Sequence, residues 1–112
     1  MRSESVFLIK TSWGYLGLVV EGLGTKSLVA DALYKLASTM ESLTGRSFYD
    51  NVAQCNAAMA FNDLITLGAD PVVYGQYLAV GDSKWFDDEK RSRDLIEGTK
   101  KACELAGCAW GG

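Results

Sequence analysis

The stretch Ala57–Pro71, AAMAFNDLITLGADP, decides how the rest of the chain is interpreted. It is almost wholly apolar up to Ala69, yet Asn62 and Asp63 stand side by side in its middle. An ionised carboxylate removed from water is costly unless it is paired, hydrogen-bonded or bound to a cation. Asp63 is therefore a candidate ligand or catalytic carboxylate. The alternative is that it points to solvent from a core helix, since structural aspartates are the larger class.

A second candidate site lies in Glu21–Ser27, EGLGTKS, where a predicted strand passes into a predicted helix. Glycines let a ligand approach the backbone, the first N–H groups of a helix are unpaired, and Lys26 adds a positive charge. The segment suits an anion, although it lacks the G-x-x-x-x-G-K-[ST] pattern of a P-loop. The alternative is structural: Gly22 and Gly24 shape a tight turn and Thr25 caps the helix.

The pattern along the chain predicts the order β-β-α-α-β-α, followed by the start of another strand. We expect an α/β (α+β) fold in which helices cover one face of a small mixed sheet. Because Tyr15–Val20 and Val72–Val80 are apolar on both alternations, the open face is expected to pair with a second copy. In the first half of the chain the predicted segments are strands at Ser5–Lys10 and Tyr15–Glu21, a helix from about Ser27, a surface loop at Ser38–Ser47, and a helix from Phe48 or Tyr49 to Gly68. A strand at Pro71–Val80 follows. The third predicted helix includes Trp85, is capped by Asp82 or Ser83 and is stopped by Gly107, and a last strand starts at Cys108.

Length and composition limit the classes of function that the chain can have. The 112 residues fit one domain, and a net charge of −3 without a Lys/Arg run argues against nucleic-acid binding. The chain has no histidine, which excludes imidazole chemistry. Its three cysteines follow no regular spacing, which favours reduced thiols in the cytoplasm over a disulfide framework. No signal peptide or membrane span is apparent, so we expect no membrane partner.

With these residues in view, the chain resembles the N-terminal domain of the aminoimidazole ribonucleotide (AIR) synthetase superfamily, and AIR synthase-related proteins in particular. Val20–Ala30, VEGLGTKSLVA, is similar to the family motif D-G-V-G-T-K-x-x-x-A. Ala57–Pro71 is similar to V-A-M-x-V-N-D-L-x-x-x-G-A-x-P. Lys101–Gly112, KACELAGCAWGG, resembles the approach to the family's G-G-E-T segment and stops before the Glu. Order and spacing agree from Val20 onward.

The resemblance implies an ATP- and Mg²⁺-dependent enzyme like phosphoribosylformylglycinamidine cyclo-ligase of purine biosynthesis. Such enzymes phosphorylate an amide or formyl oxygen, which then leaves as a ring closes. On this resemblance Asp63 is a catalytic carboxylate and magnesium ligand, Asn62 orients it or the substrate, and Glu21 replaces the motif aspartate as a second metal ligand. ATP would be held by Glu21, Gly22, Gly24, Thr25 and Lys26.

The chain also departs from the family pattern. Cys55 stands where the family commonly has Asp, and a thiol is a poor ligand for Mg²⁺. We expect residues 1–112 to be a single domain that lacks the C-terminal domain, which supplies much of the ribonucleotide substrate site. The isolated chain is then a homodimer with an incomplete active site. The alternatives are a non-catalytic dimerisation or nucleotide-binding module, and a cousin such as thiamine-monophosphate kinase or selenophosphate synthetase.

Overall fold

The computed structural model describes residues 5–40 and 46–112. In these ranges helices account for most of the regular structure, and the strands are short. No helix in this part of the chain is both long and apolar enough to cross a bilayer. The elements are strands β1 (Phe7–Thr11) and β2 (Gly14–Leu18), helices α1 (Lys26–Thr39) and α2 (Tyr49–Ile65), strand β3 (Val73–Tyr74), a 3-10 helix (Ser83–Asp87), helix α3 (Glu89–Ala106) and strand β4 (Ala109–Trp110).

Strands β1 and β2 form the predicted hairpin, antiparallel from Phe7↔Leu18 to Thr11↔Gly14. Directly paired residues share one side of a sheet. On one side, a Cβ added at Gly17 would lie 3.3 Å from Leu64 Cδ2, so this side faces the end of α2. The opposite side, which we call the outer face of the hairpin, is apolar and exposed. It consists of Phe7, Ile9, Leu16 and Leu18.

Helices α2 and α3 pack against each other at the centre of the fold. At Gly98 an added Cβ would lie 2.7 Å from the Asp50 Cα, so the two backbones touch there. Two apolar clusters flank this contact, and α2 contributes to both. The first contains Ala30, Tyr49, Val52, Ala53 and Leu95, and the second contains Ala57, Tyr74, Ala102 and Cys103.

A polar cluster ties α1 to this pair of helices. Asp31 on α1 accepts a hydrogen bond from Tyr49 Oη at 2.9 Å and one from Arg91 Nη1 at 3.4 Å. The Arg91 guanidinium lies over the Trp85 ring, 4.2 Å from its centroid, and donates to the Trp85 carbonyl. Asp88 caps α3 by accepting from the Arg91 backbone N–H at 3.0 Å. One half-buried arginine thus holds α1, α2 and the start of α3 together.

The single sheet expected from the sequence is divided in the described residues into two two-stranded sheets. One is the hairpin, and the other pairs β3 and β4 in parallel, with Val73↔Ala109 and Tyr74↔Trp110. The predicted strand at Pro71–Val80 is a strand only at Val73–Tyr74. A strand exists only where a neighbouring backbone pairs with it, and an apolar run cannot say which neighbour that is.

The helix boundaries agree with the prediction better than the strand boundaries do. Helix α2 begins at Tyr49 as predicted and ends at Ile65, and Gly107 stops α3 with a left-handed φ of 69°. Trp85, however, lies in the 3-10 helix, which Asp82 caps through Lys84 N at 2.9 Å. The cap of α3 is Asp88, so the prediction of Asp82 or Ser83 was wrong. Within the predicted loop, Ser38 and Thr39 complete α1 and residues 41–45 lie outside the described ranges.

Candidate nucleotide site

The glycine-containing turn leads into α1 as the sequence predicted. Gly24 has a φ of 62°, a left-handed conformation that glycine adopts without strain. Thr25 is the N-cap residue of α1, as the structural alternative predicted. Its backbone carbonyl accepts hydrogen bonds from the Leu28 and Val29 N–H groups, while its hydroxyl makes no capping hydrogen bond. Thr25 and Lys26 are both exposed. The positive end of the α1 dipole therefore faces solvent without a protein acceptor from its own cap residue.

Lys26 connects this turn to α2. Its Nζ lies 3.6 Å from Met59 Sδ. Met59 precedes Asn62 and Asp63 by three and four residues, a spacing that places side chains on one face of a helix. Asn62 is exposed and Asp63 is half-buried. The fold thus carries the lysine of the first motif to the face of α2 that bears the carboxylate of the second.

A cavity of 840 Å³ lies beside the turn, between the segments 18–24 and 74–81, against α1 and α2. Glu21, Gly22 and Gly24 line it. Thr25, Lys26, Asn62 and Asp63 are not among its lining residues. The predicted site residues therefore form two neighbouring groups, one at the cavity and one on the face of α2 beside Met59.

The cavity contains polar residues that the sequence did not single out. Asn56 on α2 donates to Tyr74 Oη at 2.9 Å, while its Oδ1 is buried and finds no hydrogen-bond partner in the described part of the chain. Burial raises the pKa of Tyr74. Asp31 and Tyr49 also line the cavity. Asn56 is an amide in an otherwise apolar helix face, the same signal that drew attention to Asn62.

Burial, followed by the hydrogen bond to Asp31, raises the pKa of Tyr49 to about 12. This phenol therefore stays protonated at neutral pH and acts as a donor to the Asp31 carboxylate. Its role is to position α1 relative to α2, and hence the turn that precedes α1.

No group of three or more Cys, Asp or Glu side chains converges in residues 5–40 and 46–112 in a way that could hold a metal ion. Cys55 is exposed on α2. The donors that the two motifs offer to a metal are the carboxylates of Glu21, which is exposed, and Asp63. A cation held here would need oxygen ligands from another molecule.

The helical pair, the glycine turn and the Asn-Asp face together define an AIR synthase-like N-terminal domain. Residues 18–112 match the family model described as AIR synthase related protein, N-terminal domain, and the chain belongs to this family. The expected family is thereby confirmed.

Curated relatives agree with this assignment. The chain is similar to phosphoribosylformylglycinamidine cyclo-ligase of Syntrophus aciditrophicus, with 35% identity over 89 residues, 80% of this chain and 21% of that protein. The protein of the same name from Pyrococcus horikoshii is 35% identical over 88 residues, 79% of this chain and 22% of the relative. The bifunctional purine biosynthetic protein ADE1 of Schizosaccharomyces pombe is 35% identical over 89 residues, 80% of this chain and 9% of the relative.

The chain spans about a fifth of the length of the cyclo-ligases that it matches. No solved structure is significantly similar to it.

Proposed function

We propose that this chain is the N-terminal part of an ATP- and Mg²⁺-dependent enzyme resembling phosphoribosylformylglycinamidine cyclo-ligase. The observation that carries the proposal is the position of Lys26. This lysine is the first residue of α1, and its side chain contacts Met59, which lies one helical turn before Asp63 on α2. Phosphoryl transfer uses a cation and a helix N-terminus to hold phosphate and a carboxylate to hold Mg²⁺, and this fold offers all three on adjoining elements. The relatives named as cyclo-ligases make this chemistry the first choice.

The phosphate groups would be held at the glycine turn. The left-handed Gly24 directs the chain into α1, whose first turn faces solvent, and the exposed Thr25 and Lys26 add a hydroxyl donor and a charge. Gly22 and Gly24 have open space around them, since a Cβ at either position would meet nothing within 4 Å. The adjoining cavity has room for the rest of a nucleotide, and the unpaired Asn56 Oδ1 is an acceptor for a base or sugar donor.

The donor set fits a magnesium ion that arrives with the nucleotide. Mg²⁺ is commonly held by one or two carboxylates together with substrate phosphates, so a protein cage is not needed. Asp63, oriented by its neighbour Asn62, is the proposed first ligand and Glu21 the second. When bound, MgATP supplies the phosphoryl group that makes an amide or formyl oxygen a leaving group. The acceptor, a small ribonucleotide, is proposed to bind mainly to a second domain.

We also propose a homodimer formed through the outer face of the hairpin. Phe7, at 58% exposure, and Leu18, at 54%, are large apolar side chains on that face, and apolar patches of this kind mark contact sites. In sedimentation, Leu16→Lys on the outer face is expected to lower the average mass toward the monomer. Tyr15→Lys, on the other side of the hairpin, is the matched control and should leave the mass unchanged. Equal effects of the two variants would refute a face-specific dimer.

A second candidate is a non-catalytic dimerisation or nucleotide-binding module. The observation in its favour is Cys55, an exposed thiol where the family motif commonly offers a hard oxygen ligand. Such a module would bind ATP through the glycine turn without needing Mg²⁺ at Asp63. The cousins thiamine-monophosphate kinase and selenophosphate synthetase are the alternative enzymes within the same superfamily. The compartment proposed for all of these is the cytoplasm.

Calorimetric titration with ATP, with and without Mg²⁺, tests the proposal. We expect weak binding that requires Mg²⁺ and is lost in Asp63→Asn, while Asp87→Asn, an exposed carboxylate in the 3-10 helix, binds as the parent does. Lys26→Ala should weaken the binding of ATP that is measured with Mg²⁺. Binding that is independent of Mg²⁺ and unchanged in Asp63→Asn would instead favour the non-catalytic module.

A further inference from the structure

The C-terminal end of α3 has a defined backbone geometry. Gly107 is left-handed, its N–H donates to the Glu104 carbonyl at 3.2 Å, and the N–H of Cys108 donates to the Cys103 carbonyl at 3.0 Å. This pair of bonds is the Schellman motif. In that motif the side chain after the glycine commonly packs on the side chain four residues before the glycine. In this chain both of those side chains are thiols.

Both thiols belong to the second apolar cluster or pack against it. Cys103 is 2% exposed and packs in that cluster with Tyr74, and the half-buried Cys108 lies against the same cluster. The Cys108 side chain contributes to the raised pKa of Cys103, as expected of neighbouring thiols. Cys55 lies apart from them, exposed on α2. A disulfide needs Cα atoms closer than about 7 Å and facing Cβ atoms. The direct backbone hydrogen bond from Cys108 to Cys103 brings the two residues together, and the Schellman motif turns their side chains toward each other.

We propose that Cys103 and Cys108 form a reactive dithiol that closes to an intramolecular disulfide by exchange with a small-molecule disulfide. The Cys108 thiolate attacks one sulfur of the reagent, the reagent's S–S bond breaks, and one small thiol leaves. The Cys103 thiolate then attacks the Cys108 sulfur and displaces the second small thiol. The protein thiols are oxidised, the reagent is reduced to two thiols, and these take up the two protein protons.

The order of attack follows from the surroundings of each sulfur. Burial, with the hydrogen bond and charge of Cys108, raises the pKa of Cys103 to about 11. The thiolate is the nucleophile in exchange, so the buried thiol is a poor first attacker. Cys108 is the accessible partner, and Cys103 is placed to resolve the mixed disulfide. This inference is independent of the proposed nucleotide site.

Oxidised glutathione is the probe, followed by alkylation of remaining thiols, trypsin digestion and mass spectrometry. Cleavage after Lys101 places Cys103 and Cys108 together in one peptide, while Cys55 lies in the separate peptide Ser47–Lys84. We expect the peptide beginning at Ala102 to lose its two thiol hydrogens without carrying glutathione. The Cys55 peptide should carry glutathione or an alkyl group. Dithiothreitol added before alkylation should reverse both the disulfide and the glutathione adduct.

Two variants and one denatured control complete the test. Cys103→Ser should trap glutathione on Cys108, and Cys108→Ser should leave the buried Cys103 unmodified until the protein unfolds. The folded protein should form the disulfide with an equilibrium constant at least about tenfold above that in urea, a difference of about 30 mV. A stable glutathione adduct on Cys108 in the parent, alkylation of both thiols, or equal constants in urea would overturn the proposal.

Discussion

Replacing Gly98 with alanine tests the central helix contact. The new Cβ would lie 2.7 Å from the Asp50 Cα and 2.8 Å from its carbonyl carbon, whereas ordinary contact begins at 3.4 Å. The obstacle is backbone, which no rotamer change removes, so α2 and α3 must separate by roughly 1 Å to admit a methyl group.

The energetic consequence follows from two opposing effects. Forcing extra volume into a packed contact costs about 1–3 kcal/mol, and we take the upper end because the obstacle is backbone. Alanine in a helix interior stabilises the helix by about 1 kcal/mol relative to glycine. Gly98→Ala is therefore expected to destabilise the fold by about 2 kcal/mol, which lowers the melting temperature by roughly 10 °C.

Thermal and urea unfolding followed by circular dichroism measure this effect. The matched control is Glu97→Ala, which changes an exposed neighbour on the same helix and should stay within about 0.5 kcal/mol of the parent. If Gly98→Ala were as stable as the parent or more so, the helix-propensity gain would outweigh the clash. The backbone contact between α2 and α3 would then be refuted.

Two further predictions concern the polar cluster. Asp88→Ala removes the α3 cap and the acceptor of the Tyr34 hydroxyl, and should cost about 1 kcal/mol in urea unfolding, whereas Asp87→Ala, also at the helix start, should cost little. The two variants differ in capping but not in charge removed, so equal losses would contradict the cap. Folding raises the pKa of Tyr49 from 10.0 to about 12, so the protonated phenol is favoured in the native state. The contribution of Tyr49 to the free energy of unfolding is complete below pH 10 and is lost as the pH rises toward 12. Tyr49→Phe should flatten that part of the stability–pH curve, and an unchanged slope between these pH values would count against the Asp31 contact.

The sequence predicted local elements well because local chemistry determines them. The left-handed stop at Gly107, the start of α2 at Tyr49 and the β1–β2 hairpin all depend on neighbouring residues. The long strand at Pro71–Val80 was overestimated because its extent depends on a pairing partner elsewhere. The α3 cap was misplaced because Asp82 and Asp88 are equally good caps, and a 3-10 helix separates them.

The candidate site was likewise predictable from the sequence only where neighbouring residues determine it. The motifs indicated the two groups of residues, but only the fold placed Lys26 beside Met59, and only the fold opened a cavity at Glu21. The Schellman contact between Cys103 and Cys108 was visible as a spacing, yet an odd cysteine count with no regular pattern concealed it. Asn56 was missed because no carboxylate stands beside it in the sequence, and only the fold shows that its oxygen is buried without a partner among the described residues.

The most direct measurement is a nitrogen-15 NMR titration of the chain with ATP in the presence and absence of Mg²⁺. The account predicts that Mg²⁺-dependent shifts concentrate at two places, the turn from Gly22 to Lys26 and the pair Asn62–Asp63. It also predicts that Asp63→Asn loses the Mg²⁺-dependent part while Asp87→Asn keeps it. No shift at either place under saturating MgATP, or shifts at these residues that Asp63→Asn leaves unchanged, would contradict the assignment of this half-site.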